Sequence, residues 1–378
     1  MFKKTLAACT ILLLGNTAWG QSNVTLYGII DAGIGVINNQ AGKSVVQVQS
    51  GWVWGSRLGF KGVEDLGGGS SALFVLENGF DVDTGALSQG GRLFGRQSFV
   101  GLSNKDSGTI TMGKQYDPVF DTLSGADITV GGGEAGLLFA HPFDNDNTLG
   151  SITAQNSVKY TSQKMGGFTF NGMYAFGETA GAFATNRLFG GGVNYNAGPL
   201  TLGMTFERIS KPGANIYGAA ASDQSSVASG QEIWGVGARY LAGPLSMGAA
   251  YTSSVLDTPV SSAYAGTLAA NLQRLKFQNI EINAKYQLTP AFSALGMYAV
   301  TLGKFNTVSA SESQTRQQFA VMLDYFLSKR TDLYFQTAYQ YVSGSNGGGI
   351  PRQAQIVGAA FSSGPSQAVL RIGLKHSF

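Results

Sequence analysis

Leu370, Ile372, Leu374, His376 and Phe378 alternate with Arg371, Gly373, Lys375 and Ser377, and the same two-residue rhythm recurs through the chain beyond residue 20. A period of two gives a strand one apolar and one polar face. Val24, Leu26, Ile30 and Ile34 alternate in this way with Thr25, Tyr27 and Asp31, and a less clean example interleaves Ala320, Met322, Asp324 and Phe326 with Phe319, Val321, Leu323 and Tyr325. Similar runs lie near 54 to 62, 71 to 81, 92 to 102, 109 to 116, 156 to 162, 167 to 177, 187 to 196, 200 to 209, 231 to 241, 245 to 253, 275 to 287, 291 to 303 and 331 to 342. With the two ends they make about sixteen segments near the length that a tilted membrane strand needs.

After residue 20 no run of about twenty apolar residues exists, which excludes a helical membrane bundle. Hydrophobic residues make up 43% and charged residues only 12%, yet mean hydropathy is near zero at +0.04, so the apolar residues are dispersed. Glycine, with 54 residues against 9 prolines, shows no triplet period of the collagen kind and suits sheet and turns. A chain of 378 residues is long for one domain, but closed barrels commonly reach that size.

The connections alternate between short and long. Short ones are expected at Glu64 to Ser70, Ser103 to Gly108, Gln163 to Gly167, Ala197 to Pro199, Ala242 to Pro244, Leu288 to Ala291 and Ser328 to Asp332. Long ones are expected at 37 to 53, 82 to 91, 117 to 155, 178 to 186, 210 to 230, 254 to 274, 304 to 314 and 343 to 367. Tight turns at one rim and long loops at the other belong to outer-membrane barrels, and both termini then lie on the short-turn side with an even number of strands. Closure is required, since an open edge in lipid strands backbone donors and acceptors at several kcal/mol each. The expected fold is all-β: a transmembrane antiparallel barrel of sixteen strands whose third long loop folds inward.

That third loop, Asp117 to Gln155, is the longest stretch without strand pattern, and loops of this size usually have a job. Pro118 suits the first turn of a helix, which predicts one or two helical turns over 118 to 123, before Gly131, Gly132 and Gly133.

Met1 to Gly20 reads as a secretory signal peptide, with Lys3 and Lys4 at its start, an apolar stretch from Leu6 to Leu14, and Ala18-Trp19-Gly20 as the cleavage site; the barrel then occupies 21 to 378. Leu6-Ala7-Ala8-Cys9 imitates a lipoprotein box but precedes, rather than follows, the end of the apolar stretch. Cleavage removes the only cysteine and two lysines, which lowers the formal charge from +3 to +1 and rules out an internal disulfide. A near-neutral chain also argues against nucleic acid as a partner.

Several stretches resemble the general porins of Gram-negative bacteria, most closely those of the beta-proteobacteria. They are Val24-Thr25-Leu26-Tyr27-Gly28, Ser56 to Gly62 followed by Glu64 to Gly69, Leu76 to Phe80, Leu93 to Gln97, Gly113 to Pro118, Asn156 to Tyr160 and the terminal Phe378. The resemblance implies a homotrimer of sixteen-stranded barrels in outer-membrane lipid and lipopolysaccharide, a third loop that narrows the bore, and Phe378 as the signal read during membrane assembly. Passage of small hydrophilic solutes and ions is the function it implies. Lys114 and Lys159 stand where the family often has arginine, and lysine lacks the planar fork.

Strand parity sets Arg57 and Lys61 opposite Leu58 and Phe60, hence toward the lumen, and Lys159 likewise between Val158 and Tyr160. A charge on the lipid face costs about 2 to 4 kcal/mol at the midplane. For Arg96, parity is indecisive and the resemblance puts it on the pore wall; Lys114 lies where the strand enters the third loop. The opposing acids are expected to be Asp121, Asp127 and Glu134 from the loop and Glu77 from the wall. A basic wall facing an acidic loop makes a transverse field, and with more bases than acids the channel is expected to prefer anions mildly.

Other motifs carry less. Gly131 to Gly136 satisfies G-x-G-x-x-G without a preceding strand or a crossover unit. Asp144 to Asn147 starts like a calcium loop but has Leu149 and Gln155 where that loop needs glycine and glutamate. With His141 and His376 the only histidines, neither a histidine metal cluster nor a hydrolase triad can be read, and no cofactor or metal is called for. A solute-selective channel, a membrane hydrolase and an adhesin are the competing functions; the last would need neither an inserted loop nor inward cations.

Overall fold

The computed structural model describes residues 23–262 and 264–378; the expected signal peptide at 1–20 lies outside the described residues. Its barrel strands are β1 (Asn23–Gln40), β2 in two pieces (Lys43–Ser50 and Arg57–Gly67), β3 (Ser70–Gly79), β4 (Gln97–Asn104), β5 (Gly108–Tyr116), β6 (Thr153–Thr161), β7 (Phe168–Ala175) and β8 (Arg187–Ala197). They continue as β9 (Leu200–Ser210), β10 (Gly230–Ala242), β11 (Leu245–Asp257), β12 (Leu272–Thr289), β13 (Phe292–Thr307), β14 (Ser311–Phe326), β15 (Thr331–Gly344) and β16 (Ser366–Ser377). Each pairs antiparallel with its neighbours, and β1 closes the sheet on β16 from Ile29↔Ser377 to Ile37↔Val369. Among the described residues no strand edge of the barrel is left open, as lipid demands.

Parity sorts the side chains as expected. On β14, Phe319, Leu323 and Tyr325 are exposed on the outside, whereas Ala320 and Met322 are buried within. Tyr240, Tyr286, Phe292 and Tyr325 stand near the short turns, where an aromatic girdle meets the membrane interface. Phe378 folds over Gly28, with which it exchanges two backbone hydrogen bonds of 3.1 Å.

The connections depart from expectation in three places. Instead of a long loop at 37 to 53, β1 runs on to Gln40, turns at Ala41-Gly42 and returns as the first piece of β2. The connection expected at 304 to 314 is likewise a tight turn, because β13 and β14 keep their pairing to Asn306↔Ser311. Conversely, the strand expected from residue 92 begins only at Gln97, so the connection from β3 takes in Arg96.

The break in β2 shapes the interior. Residues 51–56 stand opposite only Ile30 and Asp31 of β1, so the surplus chain bulges away from the ladder. Asp31 holds the bulge: its Oδ2 accepts the backbone N–H groups of Val53 (2.9 Å) and Trp54 (3.0 Å), and its backbone oxygen accepts from Gly51 (2.9 Å). Its Oδ1 accepts from Tyr334 (2.5 Å) and Arg371 (3.2 Å), and the Arg371 guanidinium lies over Trp52, 5.3 Å from the ring centroid. Asp31 and Arg371 are fully buried, and each is the other's counter-charge.

Between β5 and β6 the third loop enters the barrel. Asp117 accepts the Phe120 N–H (2.8 Å), as a helix cap does, and a helical turn at Phe120–Ser124 follows Pro118, as the sequence predicts. The loop then crosses the lumen, and amide side chains of the wall satisfy its carbonyls. Asn194 donates to Thr122 (2.9 Å), Asn283 to Ile128 (2.9 Å), Gln336 to Ala135 (2.8 Å), and Gln318 to both Leu138 (2.9 Å) and Ala140 (3.1 Å). Irregular backbone at membrane depth requires such partners. Val130, Leu138 and Phe139 pack on Leu295, Met297, Ala299, Ala320, Met322 and Ala338 of the β13–β15 wall. His141, buried beside Asp146 (2.7 Å) and Glu281 (3.0 Å), ties the loop to β12.

Candidate functional site

A cavity of about 480 Å³ remains between the loop and the opposite wall. Arg57, Arg96 and the bulge at 51–56 line one side of it; Phe120, Gly131, Gly132, Gly136 and Leu137 of the loop line the other. Gly136 is required here twice over: its φ is +71°, and a Cβ would meet the Trp52 oxygen at 1.9 Å. That close approach lets the Leu137 N–H donate to Trp52 (2.8 Å), so loop and bulge support each other.

The basic groups come together as follows. Arg96 donates to Glu77 (2.7 Å) and to the Tyr116 hydroxyl (2.7 Å), and its guanidinium passes Gly55, where a Cβ would stand 2.7 Å away. Arg57 donates through Nε to the Gly55 oxygen (2.9 Å) and lies 3.9 Å from Glu77. Glu77 also accepts from Tyr27 (3.0 Å), so it is embedded within the basic wall instead of opposing it; β2 and β3 pair Gly59 with Glu77, and that register sets the carboxylate beside Arg57. Lys61 is exposed further along the same face, 5.2 Å from the Tyr27 ring centroid.

Lys159 pairs with Asp121 of the loop at 2.6 Å and donates to the Tyr116 oxygen (3.0 Å). Lys114 is buried behind the cavity and donates to two residues of its lining, Thr153 (2.9 Å) and Gln224 (3.0 Å), so its ammonium is spent on neutral oxygens. The irregular pairing between Gly113 and Gln115 turns it there. Asp127 and Glu134 meet bases the sequence reading did not single out: Arg239 (3.1 Å) and Lys285 (3.2 Å). Parity could have found both, since Val236, Tyr240, Ile282 and Tyr286 face outward around them. Opposite Arg57 and Arg96, the loop therefore presents glycine backbone, and its acids are paired elsewhere. Asp81 and Asp223 also line the cavity, with Asp223 neutralised by the fork of Arg92 at 2.6 and 3.0 Å.

Electrostatics within the loop follow from burial. Burial works against protonation of His141, but the Asp146 and Glu281 carboxylates outweigh it and hold the imidazolium well above its ordinary value. Both ring nitrogens face carboxylates, so His141 offers no free base to a nucleophile. Asp144 and Asp146 do not form the start of a calcium loop: Asp144 accepts from the backbone of Leu149 (2.9 Å) and Ser151 (3.1 Å), and Asp146 is engaged by His141.

A closed antiparallel barrel with a greasy exterior, a charged interior and an inserted loop defines a transmembrane channel of the outer membrane. The chain belongs to the Gram-negative porins, whose family pattern matches residues 5–346. It is 29% identical, over the full length of both chains, to outer membrane porin protein 32 of Delftia acidovorans. Over 55% of this chain and 60% of the relative it is 30% identical to an outer membrane porin protein of Bordetella pertussis. Among solved structures, the fold matches an anion-selective porin from Comamonas acidovorans with a TM-score of 0.72 and 24% identity, covering 95% of this chain and all of that one. It also matches the trimer form of OmpT from Vibrio cholerae, with a TM-score of 0.64 and 16% identity over 94% and 99% of the two chains.

Proposed function

We propose that the chain passes small hydrophilic solutes by diffusion with a mild preference for anions. Arg57, Lys61, Arg96 and Lys159 form the basic wall in this reading, and Glu77, Asp121, Asp127 and Glu134 moderate it. The observation that carries it is the cavity at the loop, where Arg57 and Arg96 share one carboxylate, Glu77, and face glycine backbone. In a low-dielectric wall this local excess of positive charge raises the anion concentration beside it, and Asp81, which also lines the cavity, keeps the preference mild. Lys114, whose ammonium is spent on neutral oxygens, is assigned to holding the loop entrance. The anion-selective porin from Comamonas acidovorans and the trimer form of OmpT support the same preference and a homotrimer for this chain. Removal of residues 1–20 on export, a barrel over 21–378 with 117–155 as constriction, and Phe378 as assembly signal complete the reading.

Zero-current potentials across planar bilayers under a salt gradient test it. The wild type is expected to favour chloride over potassium, and Arg57→Ala with Arg96→Ala to reverse or abolish the preference. A cation-selective wild type would overturn the reading.

A further inference from the structure

We propose that the constriction is a subsite for aromatic carboxylates, a planar ring bearing one carboxylate; this rests on the anion-preferring reading and names the solute class it would favour. Two tryptophans sit in the bulge, and packing fully covers only one of them. Trp52 is buried beneath Arg371 and against the loop. Trp54 packs on the apolar cluster around Trp52 with only part of its surface, with Lys375 5.8 Å from its ring centroid, and the rest stays open to the cavity, although a lumen wall has no use for apolar surface in water.

The chemistry beside Trp54 is specific. Arg57 lies 5.7 Å from its ring centroid, and the Arg57 Nε is fixed by the Gly55 oxygen. Among the described residues no acceptor takes a hydrogen bond from its two terminal nitrogens, and Glu77 at 3.9 Å is beyond that reach. A guanidinium fork held at Nε and open at its end is shaped for bidentate contact with a carboxylate. A ring carried by that carboxylate would lie alongside Trp54, in a cavity that the stacked pair of Tyr116 and Phe120 also lines, their centroids 4.1 Å apart. The volume of about 480 Å³ falls within the range of small-molecule sites. Binding at such a site must stay weak for the solute to leave.

Current through the full-length protein in planar bilayers, at low salt to limit screening, tests this with benzoate, cyclohexanecarboxylate and acetate as added blockers. Benzoate is expected to reduce the chloride current at concentrations roughly three- to tenfold below those of the other two, the range that one aromatic contact supplies. Trp54→Leu is expected to erase the difference between benzoate and acetate, and Trp54→Phe to keep most of it. Equal block by benzoate and acetate in the wild type, equal block by benzoate and cyclohexanecarboxylate, or an undiminished difference in Trp54→Leu would each overturn the proposal. The wild-type zero-current potential is read separately: cation selectivity there sinks the underlying channel reading, whereas anion selectivity with equal block sinks only the aromatic subsite.

Discussion

The two halves of the lumen are built from the same alternating strands and have opposite interiors. Over β13–β15 the loop lies close on the wall: Leu295, Met297, Ala299, Ala320 and Ala338 pack against it, the amides of Gln318 and Gln336 donate to its carbonyls, and these side chains are almost wholly buried. Inward residues of β2, β3 and β6 include Arg57, Lys61, Glu77 and Lys159, and the chain segment carrying Arg96 joins them, so the loop is held off and a cavity stays open. The lumen thus stays wet where charged side chains cluster around the cavity, and where the wall offers apolar contacts and amide partners the loop fills it as a core would.

The largest expected effect lies at the buried seam where β1 meets β16. Asp31 and Arg371 are fully buried, and removing one leaves the other uncompensated at a cost of about 3 to 5 kcal/mol. Asp31→Ala also frees the backbone of Val53 and Trp54, so the bulge itself loosens. Urea unfolding of detergent-refolded protein, followed by tryptophan emission, is expected to show that loss, while Lys159→Ala in the wet half loses far less. Equal losses from the two substitutions would show that burial does not separate the packed lumen from the hydrated one.

Much of this division was already written in the sequence. The alternation in β14, which looked muddy because Phe319, Val321, Leu323 and Tyr325 face Ala320 and Met322 across the strand, is the footprint of the loop: both faces are apolar because lipid covers one and the loop covers the other. Parity alone brought Arg57, Lys61 and Lys159 to the lumen. What it could not reach were residues off the ladder. Arg96 precedes its strand and Trp54 rides a bulge, so neither obeys a period of two. Parity turns Arg239 and Lys285 inward, but which loop acid each meets was hidden, since Asp127 reaches Arg239 across 112 residues and no local pattern encodes such a pairing.

A second effect comes from the protons held by the loop. Burial, reinforced by the Asp146 carboxylate, pushes the Asp144 carboxyl up to about 6, so the folded loop binds that proton more tightly than the unfolded chain does. Its stabilisation is fully present below the ordinary carboxylate value near 4 and is lost as pH rises through about 6. His141 has the same sign but titrates well above its ordinary value, and Asp146, held below the ordinary carboxylate range, matters only on stronger acidification. Between pH 4 and 6 the Asp144 proton alone is therefore expected to account for a loss on the order of 2 kcal/mol, with the buried Asp117 carboxyl, also pushed up, adding in the same direction, and Asp144→Asn to remove the first share of that slope. Identical pH profiles for the two would show that the loop's carboxyl is solvated and the dry half less dry than it looks.

The smallest effect sharpens the wet side. Asp127 and Glu134 are partly exposed, and their pairs with Arg239 and Lys285 lie outside the lining of the cavity at Arg57 and Arg96. Pairs of this exposure contribute about 1 kcal/mol or less. Asp127→Asn with Glu134→Gln leaves two cations without counter-charges in the lumen, so the zero-current potential is expected to move slightly further toward chloride with stability almost unchanged. Because those cations are set apart from the cavity, the shift should be smaller than the opposite one caused by Arg57→Ala with Arg96→Ala. A shift as large as that one would move the selectivity-determining section from the Arg57 cavity to the ring of Asp127, Glu134, Arg239 and Lys285.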